Sequence, residues 1–87
     1  MLGFFERVPV VTKSVFTAKY ERFRKRLVSA RKLAGLTQMQ LANRLSRPQS
    51  FVSKYERGER RLDVVEFLEV ARAIGVTPFR LLKELDE

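Results

Sequence analysis

Neither cysteine nor histidine occurs among the 87 residues of the chain. Without cysteine there is no disulfide to reinforce a small core and no thiolate to build a zinc site, and nothing in the sequence argues for secretion. Without histidine the commonest general base is missing as well, so metal binding and catalysis would fall to carboxylates, lysines and hydroxyls alone. No metal or other cofactor is expected. No apolar run approaches the ~20 residues that span a bilayer. The opening MLGFFERVPVV is apolar but lacks the basic start and small-residue cleavage site of a signal peptide. The expectation is a cytoplasmic protein with no membrane association. The length suits one domain with a single small core.

What the chain has in excess is positive charge, a formal +8, and its distribution is uneven. Residues 1–18 carry a net +1. Residues 19–61 hold thirteen Lys and Arg against three Glu, a net +10. Residues 62–87 hold three basic against six acidic side chains, a net −3. A basic middle joined to an acidic end suggests a surface for a polyanion, with the acidic end facing elsewhere.

The chain punctuates itself into short helices. Residues 1–16 contain Gly3, Pro9 and several β-branched residues without helical periodicity, and they read as an extended arm. Its Phe4, Phe5, Val8, Val10, Val11 and Phe16 are too apolar for a solvated tail, so packing on the domain or on a partner chain is expected. Thr17 is placed to cap a helix whose apolar stripe is Tyr20, Phe23, Leu27, Ala30 and Ala34, ended by Gly35; its opposite face is rich in Arg and Lys. Thr37 caps a second helix over about 37–45, with Gln40 at the capping-box spacing and Leu41, Ala42 and Leu45 inward. Pro48 suits the start of a third helix, about 48–57, ended by Gly58. Asp63 caps a fourth, with Val64, Phe67, Leu68, Ala71 and Ile74 inward, ended by Gly75. Thr77 and Pro78 open a fifth, with Phe79, Leu82 and Leu85 inward. Five short helices on short loops predict an all-α bundle over residues 17–87.

The third helix has two different faces. At 100° per residue Val52 and Tyr55 share one side with Pro48, while Gln49, Ser50, Ser53, Lys54 and Arg57 fall on the other, across roughly 140°. The second face is small, polar and basic. Gln matches the N7/N6 edge of adenine bidentately, and Lys54 and Arg57 could reach guanine edges or phosphates. A short helix with such a face, preceded by another across a tight turn, is how a protein fits a rod into the major groove.

The stretch GLTQMQLANRLSRPQSFVSKYERGERR resembles the Cro/C1-type, Xre-like helix-turn-helix family of phage repressors and bacterial transcription regulators. The marks are Leu36-Thr37-Gln38, Leu41-Ala42, Val52-Ser53 and Glu56-Arg57-Gly58. The resemblance covers about residues 20–85. It implies a compact five-helix, phage-repressor-like DNA-binding domain acting on double-stranded DNA, usually as a homodimer. Gln49, Ser50 and Lys54 would read bases, and Ser53 would touch a base or a phosphate. Gln38 would contact phosphate at a helix N-terminus and buttress Gln49. Arg47, Arg57, Arg60 and Arg61 would hold the backbone on either side of the groove, setting register rather than sequence. Arg31 would pair with Glu56 as a structural pair that positions the recognition helix. Val76, Phe79 and Arg80 would lie in a dimer interface. Pro48 departs from the small polar residue many relatives have there. Phe51 replaces Thr or Ser at the boundary between the faces, where it packs on the second helix or meets a thymine methyl.

Two other readings need weighing. An adaptor or antitoxin-type module with a possible protein partner would use the acidic C-terminal third and the apolar arm. An enzyme would have to use Glu66 with Glu69, or Ser50 with Lys54, and the sequence implies neither an oxyanion hole nor an enclosed cleft. The expectation is therefore not an enzyme.

Overall fold

A computed structural model describes residues 17–86 of the chain. They form five helices: α1 (Ala18–Leu33), α2 (Gln38–Leu45), α3 (Gln49–Arg57), α4 (Val64–Ile74) and α5 (Pro78–Asp86). No strand occurs among the described residues, as expected for an all-α fold. The expected extended arm, residues 1–16, lies outside the described residues.

The starts of three helices are written in side chains. Thr17 Oγ1 accepts the Tyr20 amide N–H at 3.1 Å. Thr37 and Gln40 form a reciprocal capping box, with bonds of 3.0 and 2.9 Å. Asp63 and Glu66 form a second one, at 2.7 and 3.0 Å. Each box satisfies two amide donors that a helix start would otherwise leave orphaned. At α3 the Pro48 N-cap gives no side-chain bond. The α2–α3 turn is made by Ser46 at φ 56°, ψ 41°, the described non-glycine residue with positive φ. Gly58 ends α3 at φ 83°, and a Cβ there would stand 3.4 Å from Arg24 Nε, so conformation and crowding both favour glycine.

One core binds the helices. Leu27, Leu41, Val52, Tyr55, Val70 and Ala71 are almost wholly buried, with Phe51, Phe67, Ile74 and Leu81 around them. Helix α1 packs on the C-terminal end of α3 and the loop after it: Arg31 meets Glu56, Arg24 donates to the Glu56 carbonyl, and the Leu62 amide donates to the Tyr20 hydroxyl at 3.3 Å. Arg44 on α2 donates to the Ala73 carbonyl of α4 at 2.8 Å.

Several expected core positions are corrected. Val64, Leu68, Phe79 and Leu82 are exposed, Val70 and Leu81 are buried in their place, and Leu85 is half-buried. Ala34 is exposed because α1 stops at Leu33, leaving Ala34 as its C-cap. Both C-terminal helices have more apolar residues than the small core can take. In α4 the buried stripe is therefore rotated onto 67, 70, 71 and 74, and in α5 onto 81.

The Tyr55 hydroxyl is buried with no hydrogen-bond partner among the described residues. Its burial pushes the phenol well above the usual tyrosine range, with the nearby Glu56 carboxylate adding to the rise. An unsatisfied buried hydroxyl costs about 1–3 kcal/mol. Tyr55→Phe should therefore stabilise the domain by about 1 kcal/mol, read as a higher urea midpoint at unchanged slope; a loss of stability would show that the hydroxyl is satisfied.

Candidate nucleic-acid interface

Helix α3 presents the edge that the sequence pattern predicts. Gln49, Ser50, Lys54 and Arg57 are exposed and Ser53 is half-buried, while Phe51, Val52, Tyr55 and Glu56 are turned inward. The exposed side chains fall on a single side because a nine-residue helix at 3.6 residues per turn separates 49, 50, 53, 54 and 57 from 52 and 55. Lys54 adds a positive charge to the middle of that edge.

Beneath it runs a polar relay. The Arg31 guanidinium grips the Glu56 carboxylate with Nε–H at 2.7 Å and Nη2 at 3.0 Å, and donates from Nη1 to the Leu36 carbonyl at 2.8 Å. Both residues are buried, at 7% and 6% exposure. The carboxylate beside it raises the Arg31 guanidinium further above its ordinary range. Glu56 also accepts from Gln38 Nε2 at 2.9 Å, and Gln38 Oε1 accepts from Gln49 Nε2 at 3.4 Å. Four residues from α1, α2 and α3 thus form a continuous path from the interior to the first residue of the exposed edge. The Gln38 amide points its N–H inward to Glu56 and leaves its oxygen toward Gln49, so both ends of that group are in use.

The helix-turn-helix family profile matches residues 27–81. The chain is 51% identical to an XRE-family like protein from Pseudomonas syringae pv. tomato str. DC3000, over 88% of this chain and 94% of that one, with a TM-score of 0.81. The chain belongs to the Cro/C1-type, XRE-like family of helix-turn-helix DNA-binding transcription regulators. It is also similar to the restriction-modification controller protein C.AhdI from Aeromonas hydrophila, at 34% identity over 75% of this chain and 98% of that chain, with a TM-score of 0.67. No functionally curated protein matches it.

In this XRE-like domain the basic side chains around α3 are held by groups of their own chain. Arg47 and Arg60 both lie over the Phe51 ring, at 4.3 and 4.8 Å from its centroid. Phe51 is 7% exposed, so it packs and does not reach outward. Arg60 clasps Glu66 with two bonds, at 2.9 and 2.7 Å, and Arg47 stands 3.9 Å from Glu66 and 3.8 Å from Glu69. Arg57 clasps Glu59 at 2.9 and 3.1 Å and donates to Ser53 Oγ. Its hydrogen bonds hold the Glu59 carboxyl below the usual carboxylate range. Arg61 lies 4.1 Å over the Tyr20 ring. The sequence reading assigned these arginines to the interface but missed the carboxylates. The Asp63-x-x-Glu66 spacing was a capping-box signal that could have found Glu66; nothing comparable marks Glu59. Among the described residues no group of His, Cys, Asp or Glu could hold a metal ion, and no helix is long and apolar enough to cross a membrane.

Glu66 has a clear pH signature. Hydrogen bonds from Arg60 and from the Asp63 amide lower its carboxyl to about 2. A carboxyl depressed in the folded state contributes stability that is full above its unfolded value, ~4.3, and is lost as pH falls toward about 2. Glu66→Gln should be less stable by about 1–2 kcal/mol at neutral pH, a figure discounted because Arg60 is partly solvated. Its stability should also fall less between about pH 4.5 and 2 than that of the parent; parallel acid limbs in urea titrations would overturn this assignment.

Proposed function

We propose that the protein is a sequence-specific, double-stranded DNA-binding repressor that works as a homodimer, each protomer inserting α3 into the major groove. The open edge from Gln49 to Arg57, whose helix has a single acidic side chain, the inward-turned Glu56, carries this reading. Gln49, Ser50, Ser53 and Lys54 face the base edges. Gln49 is held in place by Gln38, which suits bidentate recognition because a pre-oriented amide loses less freedom on binding. Gln38, Arg47, Arg57, Arg60 and Arg61 fall to the backbone on either side, where they set register. Dimerisation draws support from α5, where Phe79 and Leu82 stay exposed at 71% and 48%. Such apolar surface on a small domain suits a subunit contact.

Selection from a random DNA pool tests the reading: a dyad-symmetric site with half-sites about one helical turn apart is expected. Failure to enrich any site would sink it and favour an adaptor role. On the selected site, Gln49→Ala should lose ~1–3 kcal/mol of discrimination at one base position while binding random DNA almost unchanged. Equal losses on both DNAs would mean that Gln49 does not read bases. A narrower role as a restriction-modification controller is favoured by the similarity to C.AhdI, which extends over 98% of that chain; a selected site upstream of a restriction gene would support it.

A further inference from the structure

The densest unpaired positive charge stands on α1, not on α2 or α3. Helix α1 holds seven Lys and Arg against the single acid Glu21. Three of the seven are engaged: Arg24 with Glu21 and the Glu56 carbonyl, Arg31 with Glu56, and Arg26 with Glu84. Lys19, Arg22, Lys25 and Lys32 are all exposed, and none pairs with a carboxylate of the described residues. On the helix-turn-helix, by contrast, Arg57 and Arg60 are clasped by Glu59 and Glu66.

The four cations share one face. At 100° per residue they occupy an arc of about 140° turned away from buried Leu27 and spread over ~20 Å of helix axis. Ordinary solvated helices interleave acids with bases at spacings of three and four. Here Lys19, Arg22 and Lys25 follow one another at spacing three; Glu21, at the edge of that face and already bonded to Arg24, draws on Lys25 alone of the three, so Lys19 and Arg22 repel their neighbours without an acid of their own helix to offset it. One free cation per ~5 Å of axis is well matched to a nucleic-acid strand, with one phosphate per ~3.4 Å of duplex axis.

The placement of this face relative to α3 follows from the contact at Glu56. On α3, going round from the core, Glu56 comes first and the open edge follows. On α1, going round from Leu27, Arg31 and Arg24 come first, then Glu21 bonded to Arg24, and Lys32 and Lys25 follow. Arg24 and Arg31 both bond Glu56, so the two helices touch through the residues that lead to these two faces. The basic face of α1 therefore begins beside the open edge of α3 and continues round the flank through Arg22 and Lys19.

We propose that this face of α1 is a second, sequence-independent DNA surface, which holds duplex flanking the half-site by its phosphates and curves it round the domain. The proposal rests on the DNA-reading role of α3 and adds to it a contact outside the specific site.

The test compares the wild-type chain with Lys19→Gln/Arg22→Gln/Lys25→Gln/Lys32→Gln on two duplexes. One contains only the selected site, and the other carries the site with long random flanks. Wild type should bind the flanked duplex more tightly, with a steeper fall of log K against log salt. The variant should bind the short duplex like wild type and lose the advantage of the flanks. At ~0.9 per phosphate contact the slope on the flanked duplex should fall by about 3–4, so raising salt from 50 to 200 mM costs it about a hundredfold less affinity than wild type. An unchanged helical signal and melting point verify the fold, and Lys25→Gln/Lys32→Gln gives a milder version with about half the effect. A wild type that selects its site yet ignores the flanks overturns this proposal alone. So does a variant with an undiminished flank effect, which would assign the face to an acidic protein instead. A wild type that selects no site overturns both the proposal and the reading beneath it.

Discussion

Glu56→Ala should destabilise the domain by about 3–5 kcal/mol, because it removes one half of a buried ion pair and leaves the other half charged. Arg31 is 7% exposed, and without Glu56 its guanidinium keeps only the Leu36 carbonyl. For 87 residues the whole stability is about 4–13 kcal/mol, so the variant would be largely unfolded at modest urea. Glu56→Gln should fare nearly as badly: it keeps the shape but not the charge. Arg31→Met/Glu56→Met should recover most of the loss, since replacing both partners with apolar groups of similar size removes the buried charge altogether. Urea titration of the three variants reads all of this at once. A loss under 1 kcal/mol for Glu56→Ala, the ordinary worth of a surface pair, would mean that solvent reaches Arg31. The recovered double variant should nonetheless read DNA less faithfully, because Gln38 would have lost its acceptor and Gln49 its anchored neighbour.

Leu41→Ala should cost about 2–5 kcal/mol. Leu41 is wholly buried and sits in an eight-residue helix, next to Ala42 at 1% exposure. Isolated helices of that length are not stable in water, so α2 keeps its shape through its packing and its capping box. Removing the Leu41 side chain takes away its largest buried group and leaves a cavity lined by the core. Met39→Ala in the same helix is the control: at 57% exposure it should change stability by no more than about 0.5 kcal/mol. Equal effects of the two substitutions, measured by calorimetric or urea unfolding, would contradict the assigned inward face of α2.

The helix boundaries were legible because each is a local chemical event. Thr37 with Gln40 and Asp63 at helix starts, and Gly58 and Gly75 at helix ends, act within four residues of themselves. The exposed edge of α3 was legible for a similar reason, since a single helix separates its own faces by periodicity. The inward faces of α4 and α5 were not. Val64, Leu68, Phe79 and Leu82 fit a helical stripe as well as the residues that are buried, and only the packing of α4 on α2 and of α5 on α1 decides which row the core accepts. The Arg31–Glu56 pair spans 25 residues; periodicity says nothing about such a pair, and only the family resemblance pointed to it. The carboxylates on Arg57 and Arg60 escaped notice because a net-charge count adds residues by segment, whereas Glu66 reaches back from another helix.

Those clasped arginines mean that the domain carries its own tethered counterions. A guanidinium that meets a DNA phosphate while its carboxylate stays covalently attached nearby brings less net charge to the duplex than a bare one. Fewer condensed cations are then set free. The arginines around α3 would orient the duplex without gripping it hard, and a regulator built this way can leave one site and sample the next.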